Sequence, residues 1–162
     1  MASSTNKKVV VSRFDREPLS GFVNPQSYLQ PAGIELLTPT GSVLQIAYAD
    51  VKLVSFVRDF GEPESKLETR QFTSRPKTAG LWVRLQFRDG DAMDGLLPNN
   101  LLQIENYGFT MIPPDPGFQN QRIFVPRSAL REVQVLGVVG SPLRKRKTKA
   151  VSQEQIEMFD KT

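Results

Sequence analysis

The stretch Val83–Leu96, VRLQFRDGDAMDGL, leaves the chain little choice of fold. Val83, Leu85 and Phe87 alternate with Arg84, Gln86 and Arg88, the two-residue period of a strand with one apolar and one wet face. Asp89-Gly90 follows, the dipeptide that best tolerates the positive φ angles of a tight hairpin turn. Met93 resumes the apolar face. Gly95 predicts a bend or bulge, where a side chain would obstruct a sharply curved strand.

The same plan occurs once before. Val9, Val11 and Arg13 lead to Asp15-Arg16 and then to Leu19, Gly21 and Phe22. Gly21 and Gly95 lie 74 positions apart, as do Asp15 and Asp89. Gly33-Ile34-Glu35-Leu36 matches Gly108-Phe109-Thr110-Met111 at an offset of 75, and Ile46–Val57 matches Val125–Leu136 at 79. Two small insertions in turns account for the drift, so the sequence predicts two tandem copies of one small β module.

Met1–Asn6 is small and polar and is expected to be disordered. Module one is expected over Lys7–Val57, with strands near Val9–Phe14, Leu19–Val23, Gly33–Leu37, Val43–Ala47 and Leu53–Val57. Pro18 places the start of the second strand at an edge or bulge. Thr38-Pro39-Thr40-Gly41 reads as a turn, and Tyr48-Ala49-Asp50 as a single helical turn. Arg58–Ala79, rich in charge, Pro and Gly, reads as a linker; the shared parity of Leu67, Thr69, Gln71 and Thr73 offers a short strand within it. Module two is expected over Gly80–Val139, with a proline-rich turn at Ile112–Phe118, a short helical turn in Val125–Leu130 and a closing strand at Arg131–Val138. Gly140–Thr162 is a basic tail.

Five short strands with a one-turn helix before the last is the layout of a small barrel. The predicted fold class is therefore all-β: two tandem SH3-like or Sm-like barrels followed by a disordered or short-helical tail. Barrels of ~50–60 residues are marginal alone, so the two are expected to pack together. Val83, Leu85, Phe87, Phe109, Met111, Val125, Val133 and Val135 should line one core, and Val9, Val11, Leu36, Ile46, Val54 and Phe56 the other.

Composition narrows function. The chain has no cysteine and no histidine. Disulfides, thiolate chemistry, ordinary zinc sites and Ser-His or Cys-His nucleophile pairs are thereby excluded. No side chain has an unperturbed pKa between pH 5 and 8. The expectation is a protein that is not an enzyme and takes no metal or cofactor. No apolar run approaches the ~20 residues of a membrane span, and MASSTNKKVVV lacks the apolar core of a secretory signal, so a cytoplasmic location is expected. Of the net charge of +4, the segment Ser141–Thr162 carries six positive residues and three acids. The remaining 140 residues carry 15 positive and 14 negative charges, so the folded body is nearly neutral.

The pattern VxxxFxDGxxxxG, then a Gly-Phe strand ending in Pro-Pro-Asp, then IFVPRSALREVQVL, resembles a bacterial domain family of unknown function that occurs alone, in tandem and near PilZ-type regulatory domains. The resemblance covers Lys7–Val57 and Gly80–Val139 and is closer in the second, since Arg16 replaces the turn glycine in the first. It implies a small β fold and supplies no catalytic residues. The arginine and Asp-x-Ser-x-x-Gly signature of PilZ domains is not apparent, so no cyclic dinucleotide is implied.

Several constellations are candidates for sites. Asp89, Asp91 and Asp94 cluster, but without the Asp-x-Asp-x-Asp-Gly loop spacing of a calcium site they read as turn and solvated strand positions. Arg84, Arg88, Arg122, Arg127 and Arg131 with Phe109, Phe118 and Phe124 offer a basic, aromatic face of the kind that stacks single-stranded nucleic acid. The competing reading makes Phe109 and Phe124 core and the arginines outward-facing strand residues. Arg144, Lys145, Arg146, Lys147 and Lys149 form a charge run suited to weak, salt-dependent contact with nucleic acid. Beyond it, Gln155-Ile156-Glu157-Met158-Phe159 resembles the pentapeptide by which many bacterial proteins dock on the DNA sliding clamp: Gln, aliphatic, Ser or Asp, Leu, Phe. Glu157 and Met158 are the departures. The resemblance implies that Ile156, Met158 and Phe159 enter an apolar cleft while the Gln155 amide makes oriented hydrogen bonds. The alternative is a short amphipathic helix capped by Ser152 and Gln155, with Ile156 and Phe159 docked on the body. The expected function is a non-enzymatic binding or adaptor protein with the sliding clamp as partner. The alternative is a nucleic-acid binder using one barrel face and the tail.

Overall fold

The structure, a computed structural model, describes residues 6–60, 71–72, 74–114 and 120–140. The expectations placed on the N-terminus before Asn6, on most of the Leu67–Thr73 strand, on Phe118 and on the tail from Ser141 lie outside those residues.

The protein is all-β. The first half holds β1 (Lys7–Arg13), β2 (Leu19–Val23), a two-residue β3 (Leu29–Gln30), β4 (Gly33–Leu37), β5 (Val43–Ile46) and β6 (Val51–Val57). The second holds β7 (Gly80–Phe87), β8 (Ala92–Leu97), β9 (Gly108–Met111), β10 (Asn120–Pro126) and β11 (Leu130–Val139). One-turn 3-10 helices precede β6, at Tyr48–Asp50, and β11, at Arg127–Ala129, as the sequence predicts. Turn chemistry sets the hairpins. Gly90 closes the β7–β8 turn at φ 94° and Gly41 the β4–β5 turn at φ 95°, a left-handed conformation that a side chain disfavours. Thr38 holds the latter turn, its hydroxyl accepting from Ser42 N at 3.0 Å.

An eight-stranded sheet runs β3-β4-β2-β1-β6-β10-β9 with β5 on β4, and a three-stranded sheet runs β11-β7-β8. All strand pairs are antiparallel. The two sheets meet at Leu96 and Ile112, whose backbones exchange hydrogen bonds of 2.9 and 3.0 Å. The strands thus form one curled ribbon with β5 at one end and β11 at the other.

Registers in the first half recur in the second at the sequence offsets of 74, 75 and 79. Val9 faces Gly21 and Val83 faces Gly95. Val11 faces Val54 and Leu85 faces Val133. Leu36 faces Leu44 and Met111 faces Ile123. Phe22 faces Leu37, and the corresponding pair is the Leu96–Ile112 bridge. Gly95, where the sequence predicts a bend or bulge, pairs with Val83 in an unbroken register and sits beneath Met111, as Gly21 sits beneath Leu36.

The halves pack together through β6 and β10, which pair along Val54–Val57 and Asn120–Phe124. Side chains alternate across these two strands, so each strand feeds both cores. Val54 and Phe56 join Phe124 in a cluster with Val9, Val11, Ile34 and Leu36. Leu53 joins Ile123 and Val125 in a cluster with Val83, Leu85, Phe87 and Met111. Burial on both faces explains the near-continuous apolar run of β6. Each fully buried Val, Leu or Phe contributes about 1.5–3 kcal/mol relative to exposure. Two expectations are corrected here. Val135 has the core parity but is 57% exposed, because β11 ends the sheet and no strand among the described residues pairs beyond it. Asp94 is buried rather than solvated.

Candidate interaction surfaces

The aspartates of the β7–β8 hairpin do not act as one cluster. Lys52 of β6 reaches across from the first half and places Nζ 2.9 Å from Asp89 Oδ2 and 2.9 Å from Asp91 Oδ2. Its ammonium also lies 5.1 Å from the centre of the Phe87 ring. The hydrogen bond from Lys52 holds the Asp89 carboxyl below the usual carboxylate range, against the opposing effect of its partial burial. Asp89 Oδ1 accepts from Asp91 N at 3.1 Å, which is ordinary Asx-turn chemistry. The cation that these carboxylates meet is therefore a lysine. Among the described residues, no group of three or more Asp, Glu, His or Cys side chains could hold a metal ion.

Asp94 turns the other way. Its carboxylate accepts from Arg84 Nε at 2.8 Å, Arg84 Nη2 at 3.3 Å and Trp82 Nε1 at 3.3 Å. Hydrogen bonding to Asp94 raises the Arg84 pKa, outweighing the opposing effect of desolvation. Phe72 packs edge-on against Trp82 at 6.3 Å, so the segment leading into β7 helps cover the pair.

The remaining arginines of the candidate basic face are dispersed. Arg88 sits 4.0 Å over the Phe14 ring and donates to Ala49 O at 2.6 Å, tying the second half to the first. Arg127 lies 4.8 Å over Phe109 and donates to Asn106 O at 3.3 Å. Arg122 lies 4.7 Å over Phe56 of the first half. Phe124 is fully buried, and Arg131 is exposed on β11. Of the candidate rings, the two that the structure describes, Phe124 and Phe109, are thus in a core and beneath a guanidinium.

The same seam holds two tyrosines. Tyr48 and Tyr107 stack at 5.0 Å with 14° between their planes, and Tyr48 OH donates to Gln30 O at 2.6 Å. Burial, then Tyr107 and Glu105, push the Tyr48 hydroxyl up to about 12. Tyr28, packed edge-on to Phe56 and Phe124, is raised further, chiefly by burial.

Residues 5–137 match a single family description across both halves, the segment between them and most of β11. The chain belongs to the family of unknown function DUF6982. The DUF6982 region takes both halves as one unit, in keeping with the sheet that runs through β6 and β10. The basic run and Gln155–Phe159 fall beyond it and outside the described residues. No curated protein and no solved structure matches the chain. No helix among the described residues is long and apolar enough to cross a membrane.

Several large apolar side chains of this DUF6982 body are exposed. Val43 is 63% exposed and Leu44 39% on β5; Val135 and Val138 are exposed on β11. Leu101 and Leu102 stand out from a 3-10 turn, Leu102 at 94% exposure, where the Asn100 side chain caps the turn by accepting from Leu102 N at 3.1 Å. A groove of about 450 Å³ lies beside the Leu96–Ile112 bridge, lined by Leu96, Leu97, Met111, Ile112 and Arg122. Strand alternation alone does not reveal these surfaces. The readable signal was Pro98-Asn99-Asn100 followed by two leucines, an apolar doublet in turn chemistry with no strand or helix to bury it.

Proposed function

We propose that the chain is a non-enzymatic binding and adaptor protein, with a body of two tandem SH3-like or Sm-like units and a tail that docks on the DNA sliding clamp. The recurrence of strand registers at offsets of 74, 75 and 79 supports the two-unit reading. The observation that carries the adaptor reading is where the body spends its charged groups. Lys52, Arg84, Arg88 and Arg122 are engaged with carboxylates, rings or backbone that hold the fold together. Open strand edges and bare leucines are left on the surface, which suits a scaffold better than a reaction centre. On this reading Gln155, Ile156, Glu157, Met158 and Phe159 form the docking peptide. Arg144, Lys145, Arg146, Lys147 and Lys149 touch the DNA threaded through the clamp.

The test is a titration of the full chain, and of a chain lacking its last ten residues, against purified bacterial sliding clamp. Short-peptide anchors are each often worth about 2 kcal/mol, so Phe159→Ala and Ile156→Ala should each weaken binding roughly thirtyfold. The melting temperature of the body should stay unchanged. Unchanged affinity with a lowered melting temperature would instead mean that Phe159 packs on the body as part of a capped helix. Nucleic-acid binding that survives removal of Ser141–Thr162 would favour the alternative reading, a base-contacting face on the second unit.

A further inference from the structure

We infer that the two ends of the curled sheet, β5 and β11, bind each other between copies of this chain, head to tail, in the register of the internal β6–β10 pairing. The inference rests on the two-unit reading above. Setting aside the two-residue β3, β5 and β10 are the fourth strands of their units in that reading, and β6 and β11 the fifth. The chain itself joins a fourth strand of one unit to a fifth strand of the other: Arg122 faces Phe56, Ile123 faces Ser55 and Phe124 faces Val54. The complementary pair of edges, β5 and β11, remains at the ends of the ribbon. Among the described residues no strand pairs with either outer edge; Arg75 Nη2 donates to Val138 O on β11 at 2.7 Å, beyond the Val133–Val135 stretch.

Carrying the internal register over by the offset of 79 gives definite partners. Arg122 becomes Val43 and Phe56 becomes Val135, so Val43 falls opposite Val135. These are among the most exposed large apolar side chains on strands, at 63% and 57%. Leu44 falls opposite Gln134, and Gln45 opposite Val133. Phe56 is 4% exposed with β10 beside it, whereas Val135 is bare without such a neighbour. A second copy's β5 would give Val135 the cover that Phe56 already has.

The composition of β5 agrees. Exposed edges are ordinarily blunted by lysine, proline or a bulge, which stops other chains from adding a strand. Val43-Leu44-Gln45-Ile46 has no charge, no proline and no bulge against β4. The contact is heterologous, since each copy offers one edge of each kind. It therefore builds rings or open chains of copies rather than a two-fold dimer.

Sedimentation velocity of the full chain over a range of concentrations tests this. The wild type should associate beyond the dimer as concentration rises. Val43→Lys blocks one edge and Val135→Lys the other, and both sites are exposed, so the fold should tolerate them. Each variant alone should be monomeric. An equimolar mixture should form a dimer and stop there, because one good β5 edge and one good β11 edge remain between them. A wild type that stays monomeric, association unaffected by either lysine, or a block by only one of the two lysines would each overturn the head-to-tail contact. Amide exchange separates this outcome from the reading beneath it. Slow exchange along β6 and β10 at every concentration reports the internal junction. Protection of β5 and β11 that grows with concentration reports the contact between copies. Fast exchange in β6 and β10 overturns both, while concentration-independent exchange in β5 and β11 overturns only the contact.

Discussion

Arg84 and Asp94 are unequal partners, and removing one should not cost the same as removing the other. Arg84 keeps a third of its side-chain surface in water, while Asp94 keeps none. Arg84→Ala strands a buried carboxylate with only the indole N–H of Trp82, and breaking a buried pair in this way costs about 3–5 kcal/mol. Asp94→Ala lets the guanidinium and the indole turn to solvent, and the charge-assisted hydrogen bonds it loses are worth about 1.5–3 kcal/mol against water. The first half shows what the fold itself requires at these positions: the corresponding facing pair is Val10 and Ser20. The double variant Arg84→Ala/Asp94→Ala should therefore cost less than Arg84→Ala alone, giving a coupling energy of about 2–3 kcal/mol in a double-mutant cycle. Urea denaturation followed by circular dichroism measures all three, and the fluorescence of Trp82, the only tryptophan, reports the site itself. Asp94→Ala proving as costly as Arg84→Ala, or costs that simply add, would refute the argument from unequal exposure.

Two further outcomes follow from packing and titration. A Cβ at Gly108 would run into the backbone carbonyl of Val125, whereas one at Gly95 would meet the flexible end of Met111, so Gly108→Ala should cost about 3 kcal/mol and Gly95→Ala about 1 by urea denaturation. Tyr48 is held neutral in the fold, so its contribution to stability is complete below the ordinary tyrosine value of about 10 and is lost as pH rises toward about 12. Tyr48→Phe should lower stability at neutral pH by about 1 kcal/mol, for the lost bond to Gln30 O, yet flatten the alkaline fall of the urea midpoint. An alkaline slope equal to that of the wild type would count against it.

Strand positions and registers within each half were legible because two local signals agree. Alternation assigns each side chain a face, and the turn residues Thr38–Gly41 and Asp89-Gly90 set where each strand reverses. The three offsets carried more than similarity, since the same offsets reproduce the facing pairs in both halves. What alternation does not encode is the neighbour. It put Val135 on the core side, but could not show that no strand among the described residues lies beyond β11 to cover it. It put Asp94 on the wet side, and could not show that Trp82 and Arg84 close over that side. The β6–β10 junction had a faint signal, the apolar character of Val51–Val57 on both faces, and no local partner to point to. The basic face was read from residue types alone. Arginine on a strand is as well suited to capping a neighbouring ring as to meeting a phosphate, and only the fold decides between them.

The internal junction also differs chemically from the edges left open, and the difference keeps the two from exchanging. At β6–β10 Arg122 faces Phe56, a cation over a ring. At β5 and β11 the corresponding residues are Val43 and Val135, two aliphatic side chains. Bringing β5 onto β6 would place Val43 beside Phe56 and forfeit the guanidinium contact. Bringing β10 onto β11 would set Arg122 against Val135, with no ring to receive it. The Lys52 bridges to Asp89 and Asp91, and the Arg88 contacts with Phe14 and Ala49, form only when the second half lies against the first. These polar contacts make a swap of halves between chains no more favourable than the closed chain while adding nothing to the bare edges. The polar seam thus commits the two halves to each other, and the apolar ends of the sheet remain the surfaces with binding energy still to gain.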